Sequence, residues 1–438
     1  MVRKISILSS YAFLMMVPSG ALFHFYFNET IGAYQITILD FILWMAFATF
    51  AMDICLTKRS LLQQAVDKWM LLLFCTCMFF FVIGLINRNE HVLTWGLRHT
   101  WTLLLLYFPL SHFAGSSQEH KEHLIKFLLV YSTILGILTI PLRLGLLAPI
   151  VDPVWQAGPV REFPGTDPVY GSHYRIAWVC RPTYVDIALC FCLAILSLRG
   201  SLLRLAGGKV GWLLCIMANI ILLIIAKSRL TVLLSVSTVA LCGSLLWFYG
   251  RRHSGVGVYL TMFVIICLAV VMLSAFFLQE DILYFTERIS SLSARDRTVQ
   301  MRMLTAEKDI QDFLESPIIG KGLGFSDWFY YRTDAMWRRT YGEIGITRLL
   351  TWFGLAGTAV VYSVLVWLLL RSLRLLKHSD SSLEKATGAV CAAIIVALMG
   401  SGFVFTENAV PLIFIAVLLR KPVTAKIQKE KHLGTSAL

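Results

Sequence analysis

The stretch IILLIIAKSRLTVLLSVSTVALC, residues 220–242, decides the fold class. Two apolar runs flank the short polar group Lys227-Ser228-Arg229, and both continue beyond the quoted residues. Each complete run is long enough to cross a hydrocarbon core of about 30 Å as a helix. The pattern predicts a tight hairpin of two membrane-spanning helices, whose tip places Arg229 close to the bilayer.

The composition of the whole chain agrees with this interpretation. Of its 438 residues, 57% are hydrophobic and 15% are charged, and the mean hydropathy is +0.71. A soluble domain is roughly half apolar and a quarter charged, so both values favour an integral membrane protein. The net charge of +13 is expected to set the orientation of the spans rather than to bind nucleic acid.

Apolar runs of this kind recur along the chain. We predict an all-α polytopic integral membrane protein with about twelve transmembrane helices. Their approximate ranges are 7–27, 34–55, 69–87, 95–113, 124–147, 184–198, 211–227, 230–249, 257–278, 346–370, 386–403 and 408–420. Nine of the ten cysteines fall inside apolar runs, which gives neither a disulfide framework nor a paired zinc motif.

Basic residues in the connecting loops predict the topology. With Arg3 and Lys4 in the cytoplasm, alternate loops and the tail from Arg420 carry most of the lysines and arginines, as the positive-inside rule requires. Both termini are therefore predicted to be cytoplasmic. The predicted divisions are spans 1 to 9 in residues 1–278 with an outside loop near 148–183, a large extracytoplasmic loop at 279–345, spans 10 to 12 in residues 346–420, and a cytoplasmic tail at 421–438.

The large loop contains an amphipathic helix. Five apolar residues recur at spacings of 4, 3, 4 and 3, while Arg302 and Asp309 lie on the opposite side. The stripe consists of Val299, Met303, Ala306, Ile310 and Phe313. Ser293 or Asp296 is a plausible start, and Pro317 marks the stop. We expect this helix to lie on the outer membrane surface, where its arginines meet either a substrate or ordinary phospholipid.

A glycine-rich turn follows, Glu315-Ser-Pro-Ile-Ile-Gly-Lys-Gly-Leu-Gly324. Its glycines and Lys321 suit a phosphate, but the turn lacks the spacings of nucleotide-binding loops. The phosphate of a lipid carrier stays open as a ligand.

Further charged residues lie where loops meet spans. A charge at the bilayer is costly and marks a functional site by default. Arg229 could bind a substrate or anchor a helix end. Glu343 could be a general base or a first-turn charge at the start of a helix. Arg181, with Asp186 five residues later, could belong to a binding site or to a structural ion pair.

Taken in order, these motifs resemble the signature of the O-antigen ligase and O-antigen polymerase superfamily. Arg302 leads, at the spacing of the family, to a Pro-x-x-Gly-x-Gly turn that begins at Pro317. The Ser228-Arg229 segment and the run from Gly354 to Gly357 are also similar to family motifs. The resemblance covers roughly residues 170–360 by motif and the whole chain by topology.

One departure separates the two activities of the superfamily. Its ligases usually carry a His-Asn pair eleven residues before the first glycine of the later span, and here Glu343 and Ile344 occupy those positions. An acidic residue followed by Arg348 is more similar to polymerases of O-antigen, capsule or exopolysaccharide. The resemblance therefore implies a polymerase, keeps the ligase that acts on lipid A–core as the alternative, and leaves the catalytic base open.

Membership of this superfamily would imply a GT-C-like fold in the bacterial inner membrane and a metal-independent glycosyltransferase that needs no cofactor. Donor and acceptor would both be glycans on undecaprenyl pyrophosphate, and the other implied partners are membrane lipids and a chain-length regulator protein. A guanidinium fork matches phosphate oxygens. The implied general base is Glu343. The residues implied to bind pyrophosphate or glycan are Arg181, Arg229, Arg297, Arg302, Arg348 and Lys321.

A flippase or transporter for lipid-linked glycans is the main alternative that is not an enzyme. Such proteins usually contain two similar halves and helices interrupted near the bilayer midplane. The sequence contains no internal repeat, and its distinctive polar residues lie outside rather than at the middle of the spans. A metal-dependent transferase would need clustered acids such as Asp-x-Asp, which the loops lack.

Overall fold

The computed structural model covers most of the predicted spans. It describes residues 2–17, 28–31, 34–58, 60–89, 92–93, 97–114, 117–143, 146, 184–198, 202–226, 229–250, 261–269, 297–325, 327–330, 336–339, 345–401 and 409–421. The predicted loop at 148–183, the beginning of the large loop and the tail after residue 421 lie outside these ranges.

Helices dominate the described residues. They are α1 (Val2–Met16), α2 (Ile38–Thr57), α3 (Ala65–Ile86), α4 (Leu97–Ala114), α5 (Gln118–Arg143), α6 (Val185–Ser197), α7 (Gly208–Ala226), α8 (Arg229–Gly250), α9 (261–269), α10 (Arg297–Glu315), α11 (Gly345–His378), α12 (Ser382–Ser401) and α13 (Ala409–Leu418). Two short antiparallel hairpins pair β1 (Asn28–Ile31) with β2 (Tyr34–Thr37) and β3 (Asp327–Tyr330) with β4 (Met336–Arg339).

The protein is an α-helical, multi-pass membrane protein. Seven of the described helices, α2, α3, α5, α7, α8, α11 and α12, are long and apolar enough to cross a bilayer. A helix also overlaps each of the other predicted spans, and these remain predicted crossings. The second span begins later than predicted, because residues 34–37 form strand β2 and the helix starts at Ile38.

Two short helices form the centre of the bundle. Almost every side chain of α6 is buried, and α6 packs against α5, α7, α8 and α12. All described side chains of α13 are buried as well, and its Phe414 ring lies 6.1 Å from that of Tyr184, which directly precedes α6. Large apolar side chains on the surrounding helices, such as Phe41, Phe79 and Phe248, are exposed. Such an apolar exterior suits contact with lipid.

The break predicted at the tip of residues 220–242 is present, but the two helices diverge from it. Helix α7 ends at Ala226 and α8 begins at Arg229. Their main partners differ: α7 packs on α5 and α6, whereas α8 packs on α6 and α12. The two helices therefore follow one another closely in the chain, as predicted, but each packs mainly on other helices and little on the other.

A buried charge cluster fixes the end of α13. The Arg420 guanidinium is 1% exposed and donates to the carboxylate of the fully buried Asp67 at 3.1 Å. The Tyr107 hydroxyl donates to the other Asp67 oxygen at 2.7 Å. Lys121 and Arg371 donate to carbonyls at the end of α13 at 2.9 and 2.8 Å. Cationic side chains suit a helix C-terminus, where carbonyl groups lack helical partners.

Candidate functional site

The glycine turn, residues 315–324, lies between α3, α10 and α11. Helix α10 ends at Glu315, as predicted from Pro317. Gly320 and Gly322 have φ values of 74° and 86°, a region that favours glycine. A β-carbon on Gly320 would lie 2.5 Å from the amide nitrogen of Gly354, and one on Gly322 would lie 2.4 Å from that of Gly84. Only glycine therefore allows the turn to approach both helices so closely.

Helix α11 is broken where the turn meets it. Gly354 has φ 57° and ψ −168°, which interrupts the helical hydrogen bonds. The carbonyl groups of Thr351 and Trp352 accept instead from the amides of Lys321 and Gly322, at 2.7 and 3.0 Å. The turn thus supplies the partners that the helix itself no longer provides.

Helix α11 also donates hydrogen bonds to the turn. The amides of Leu355 and Ala356, just after the break, donate to the carbonyls of Pro317 and Ile318 at 2.8 and 3.1 Å. Irregular backbone at membrane depth is tolerated only where its polar groups are satisfied by protein. The glycine turn and the break in α11 are therefore complementary parts of one joint.

The end of α3 completes this joint. The side-chain amide of Asn89 lies within hydrogen-bond distance of the carbonyls of Lys321, Gly322 and Leu323, at 2.9, 3.3 and 3.0 Å. Asn87 donates to the Lys321 carbonyl at 2.9 Å, and the Leu323 amide donates to a carbonyl of α3 at 3.0 Å. The turn is consequently held on both sides.

The hydrogen bonds of the turn bear on whether its amides could bind a phosphate. Four successive amides, from Gly320 to Leu323, donate to protein carbonyls, so in this conformation they are not directed at an anion. The Lys321 ammonium pairs with the Glu315 carboxylate and lies 5.6 Å from the centroid of the Phe325 ring. The glycines serve the joint between helices.

Helix α10 buries three polar residues, Thr305, Asp309 and Asp312. Its exposed side is mixed, because it carries Met303 and Ile310, which are 60% and 46% exposed, together with the exposed Glu307. Asp309 follows Ala306 by three residues and precedes Phe313 by four, so it lies beside the apolar stripe and not opposite it as predicted. The side of α10 that faces the protein is therefore polar.

The buried polar side of α10 packs against the first turns of α11. We call these residues the polar seam, and it consists of Thr305, Asp309, Asp312, Thr347, Arg348 and Thr351. The Thr347 hydroxyl donates to the Asp309 carboxylate at 2.9 Å. The Thr351 hydroxyl, which also reaches the Thr347 carbonyl at 3.0 Å, donates to the main-chain carbonyl of Asp309 at 2.9 Å. The seam connects the two helices through side chains as well as backbone.

Arg348 belongs to this seam. Its side chain is 5% exposed, and the guanidinium lies 5.1 Å from the centroid of the Trp352 ring. Sequence reasoning placed Arg348 among the residues that bind pyrophosphate or glycan. The structure packs it inside the protein, where a guanidinium stacked on an aromatic ring contributes to the contact between helices, and its role in binding stays a prediction.

The other predicted site residues are described less completely. Arg229 is the first residue of α8, Arg297 is the first residue of α10, and Arg302 lies within α10, but the side chains of these three are outside the described structure. Arg181 and Glu343 also lie outside the described residues. The predicted roles of these five residues stay predictions.

Asp186, five residues after Arg181 in the chain, lies within the described residues. It lies in the first turn of α6, where the Ser235 hydroxyl of α8 donates to its carboxylate. This contact connects the central helix to the helix that begins with Arg229.

Comparison with known proteins finds no protein-family model that matches the chain and no match among curated protein sequences. Within the described ranges, no group of three or more His, Cys, Asp or Glu side chains is placed to hold a metal ion.

Sequence reasoning missed several residues of the joint. Asn87 and Asn89 follow directly on the apolar run of α3, and polar amides at the end of a span are a signal that could have been used. Thr347 and Thr351 are four residues apart, so they share one helix face. Their partner Asp309 was noticed only as the polar side of a stripe.

Proposed function

We propose that this protein is a membrane glycosyltransferase that polymerises oligosaccharide repeat units linked to undecaprenyl pyrophosphate. The reaction would take place at the periplasmic face of the bacterial inner membrane, with both termini in the cytoplasm. The observation that carries the proposal is the joint between α10 and α11. It connects the two segments to which the resemblance assigns a substrate-binding arginine and a general base.

The contacts of the joint support one shared site. Asp309 contacts Thr347, and Pro317 contacts Leu355, so contacts occur in the same order along both helices. Arg302 precedes Asp309 by seven residues, which is about two helical turns and returns to the same face.

Glu343 precedes the seam in the chain. It is two residues before Gly345, where α11 begins. Arg302 likewise precedes Asp309 along α10, so both proposed site residues come before the seam in their segments.

The proposed chemistry needs no resident metal. A sugar hydroxyl of the acceptor attacks the anomeric carbon of the donor, and Glu343 takes the hydroxyl proton as general base. The bond between the sugar and the pyrophosphate breaks, and undecaprenyl pyrophosphate leaves with the bonding electrons. Arg229, Arg297 and Arg302, with Arg181 from the other loop, stabilise the negative charge on the leaving group.

The position of the break in α11 favours an enzyme over a transporter. Transporters use interrupted helices near the bilayer midplane, where the free helix ends bind the substrate. In α11 the break at Gly354 is nine residues after Gly345. The backbone amides and carbonyls at this break are hydrogen-bonded to the backbone of the glycine turn. This interruption therefore serves the joint.

A complementation experiment tests the proposal. A strain that lacks the chain is complemented with the wild type, Arg229→Ala, Arg302→Ala or Glu343→Gln, and its surface glycan is separated on a gel. Glu307→Ala is the matched control, because Glu307 is an exposed residue of α10. Membrane levels of each variant are measured in parallel.

We expect the three test variants to reduce the ladder to single repeat units attached to their acceptor, while Glu307→Ala keeps the full ladder. Loss of all attached glycan, with polymer accumulating on the lipid carrier, would instead identify the ligase. An unchanged ladder in every variant at normal expression would contradict the enzymatic proposal and favour the transporter.

A further inference from the structure

The polar seam contains a carboxylate where an apolar contact would suffice to hold two helices together. Asp309 is 2% exposed, and Thr347 and Thr351 contact its side chain and its main chain, respectively. A buried acid is costly unless hydrogen bonds stabilise it. The best-attested role of buried polar groups in helix pairs is to specify one register among several.

Together with the glycine turn, the Asp309 contacts fix α10 on α11 at two points. The second point is the backbone exchange in which Leu355 and Ala356 donate to Pro317 and Ile318. A helix attached at one point can rotate or slide, whereas attachment at two points about two turns apart prevents both. The register of α10 therefore depends on the Asp309 contacts.

We propose that Asp309 is a positioning residue, which acts through Thr347 and Thr351 to set the register of α10 against α11. This inference rests on the proposed polymerase function. The register determines how the turn of α10 that contains Arg302, two turns before Asp309, lies relative to Gly345, the first residue of α11. Under the proposed function, Arg302 holds the leaving pyrophosphate, and Glu343, which takes the proton, precedes Gly345 by two residues in the chain.

Small errors in this register are expected to affect the rate more than binding. A displacement of about 1 Å in a reacting group can lower a rate roughly 100-fold. Arg302 would still reach the pyrophosphate through a long, flexible side chain. Loss of the seam contact should therefore lower kcat and leave KM nearly unchanged.

The test uses the full chain reconstituted in lipid vesicles. The substrate is the lipid-linked material extracted from the strain that lacks the chain, and initial rates of elongation give kcat and KM. Thr347→Val removes the hydroxyl at nearly constant volume, and Thr347→Ser restores it. The matched control is Thr358→Val on the same helix, because the buried Thr358 hydroxyl has no hydrogen-bond partner among the described residues.

We expect Thr347→Val to lower kcat at least 10-fold with KM within about 2-fold of the wild type. Thr347→Ser and Thr358→Val should stay within about 2-fold of the wild type in both constants. Asp309→Leu, which removes the oxygen that accepts from Thr347 at similar volume, provides a second variant in case Thr347→Val does not fold, and we expect it to lower kcat selectively as well.

Unchanged constants in Thr347→Val and Asp309→Leu would overturn the inference. So would a loss of activity that follows only the amount of folded protein, or one that Thr347→Ser fails to rescue. These results are distinct from a failure of the proposed function, in which the wild-type protein itself would not elongate the lipid-linked material.

Discussion

Gly354 has a backbone conformation and a set of neighbours that no other residue tolerates. Its φ of 57° is in the left-handed region, and a β-carbon there would lie 2.3 Å from the Ile318 carbonyl oxygen. Both atoms at this contact belong to the backbone, so neither can move without disrupting the joint. Gly320, on the other side, meets the same constraint.

We predict that Gly354→Ala destabilises the protein by about 3 kcal/mol, from overpacking and backbone strain together. Gly400→Ala is the control, because Gly400 lies in helix α12 and its β-carbon would meet open space. That change should be neutral or stabilise by up to about 1 kcal/mol. Thermal unfolding of both variants in the same detergent is the measurement, and equal midpoints would contradict the prediction.

Arg420 and Asp67 form a buried ion pair. Both are almost fully buried, and they are separated by 353 positions in the chain. Breaking a buried pair leaves one charge without its partner, which typically costs 3–5 kcal/mol. Replacing both partners removes this penalty.

We therefore predict that Arg420→Met destabilises the protein by about 3 kcal/mol and that Arg420→Met combined with Asp67→Asn is less destabilising than the sum of the single changes. The control is Arg204→Met, since Arg204 pairs with Glu122 at 3.0 Å on an exposed surface. It should cost less than about 1 kcal/mol. Additive effects in the double variant, measured by thermal unfolding, would contradict coupling.

At the scale of elements, the sequence predicted the helices well and their contacts poorly. Long apolar runs locate spans because a bilayer demands about 20 apolar residues. The periodicity of α10 indicated an apolar stripe, but periodicity alone does not show which side is buried. The packing of α10 on α11 shows that the side with Thr305, Asp309 and Asp312 is buried.

The joint between the glycine turn and α11 was not predicted from the sequence, for a related reason. The sequence indicated close packing at Gly354 and Gly357, and the structure shows it at both. The partner of Gly354, however, is the backbone from Pro317 to Gly320, more than thirty residues earlier in the chain. Propensity and spacing describe local preferences, so a break satisfied by a distant segment leaves no local signal. Arg181 and Glu343 lie outside the described residues and stay predictions.

Asn89, just after α3, holds the glycine turn through its side-chain amide. Its amide is the only side chain in the described structure shown to reach three carbonyls of the glycine turn, so Asn89→Ala should leave some of those carbonyls unsatisfied. We expect a loss of about 2 kcal/mol in stability. Asn87→Ala, which removes one exposed bond, should cost less. Hydrogen exchange at residues 320–323 is the direct measurement, and unchanged protection in Asn89→Ala would contradict the assignment.

At the scale of the whole molecule, the bundle has a buried centre and an apolar exterior. The part of α11 after its break, residues 355–378, is about 36 Å long at 1.5 Å per residue, which is enough to cross a bilayer. The glycine turn contacts the end of α3 at Gly84, Asn87 and Asn89. The break in α11 is therefore level with the end of a neighbouring span.

The predicted topology is tested with reporter fusions. We expect alkaline phosphatase to be active when fused after residue 165 or 335, and green fluorescent protein to fluoresce when fused after residue 61 or 438. The physical reason is the concentration of basic residues in the loops assigned to the cytoplasm. Active phosphatase at residue 61 would reverse the orientation and place the glycine turn in the cytoplasm.

The central claim is that this chain joins lipid-linked repeat units to one another. The most direct measurement reconstitutes the purified protein in vesicles with lipid-linked repeat units extracted from the deletion strain, and determines the length of the products by mass spectrometry. We expect products of two and more repeat units on the lipid carrier without any other acceptor, and no such products with Glu343→Gln. Transfer that occurs only after lipid A–core is added would show that the protein is the ligase instead.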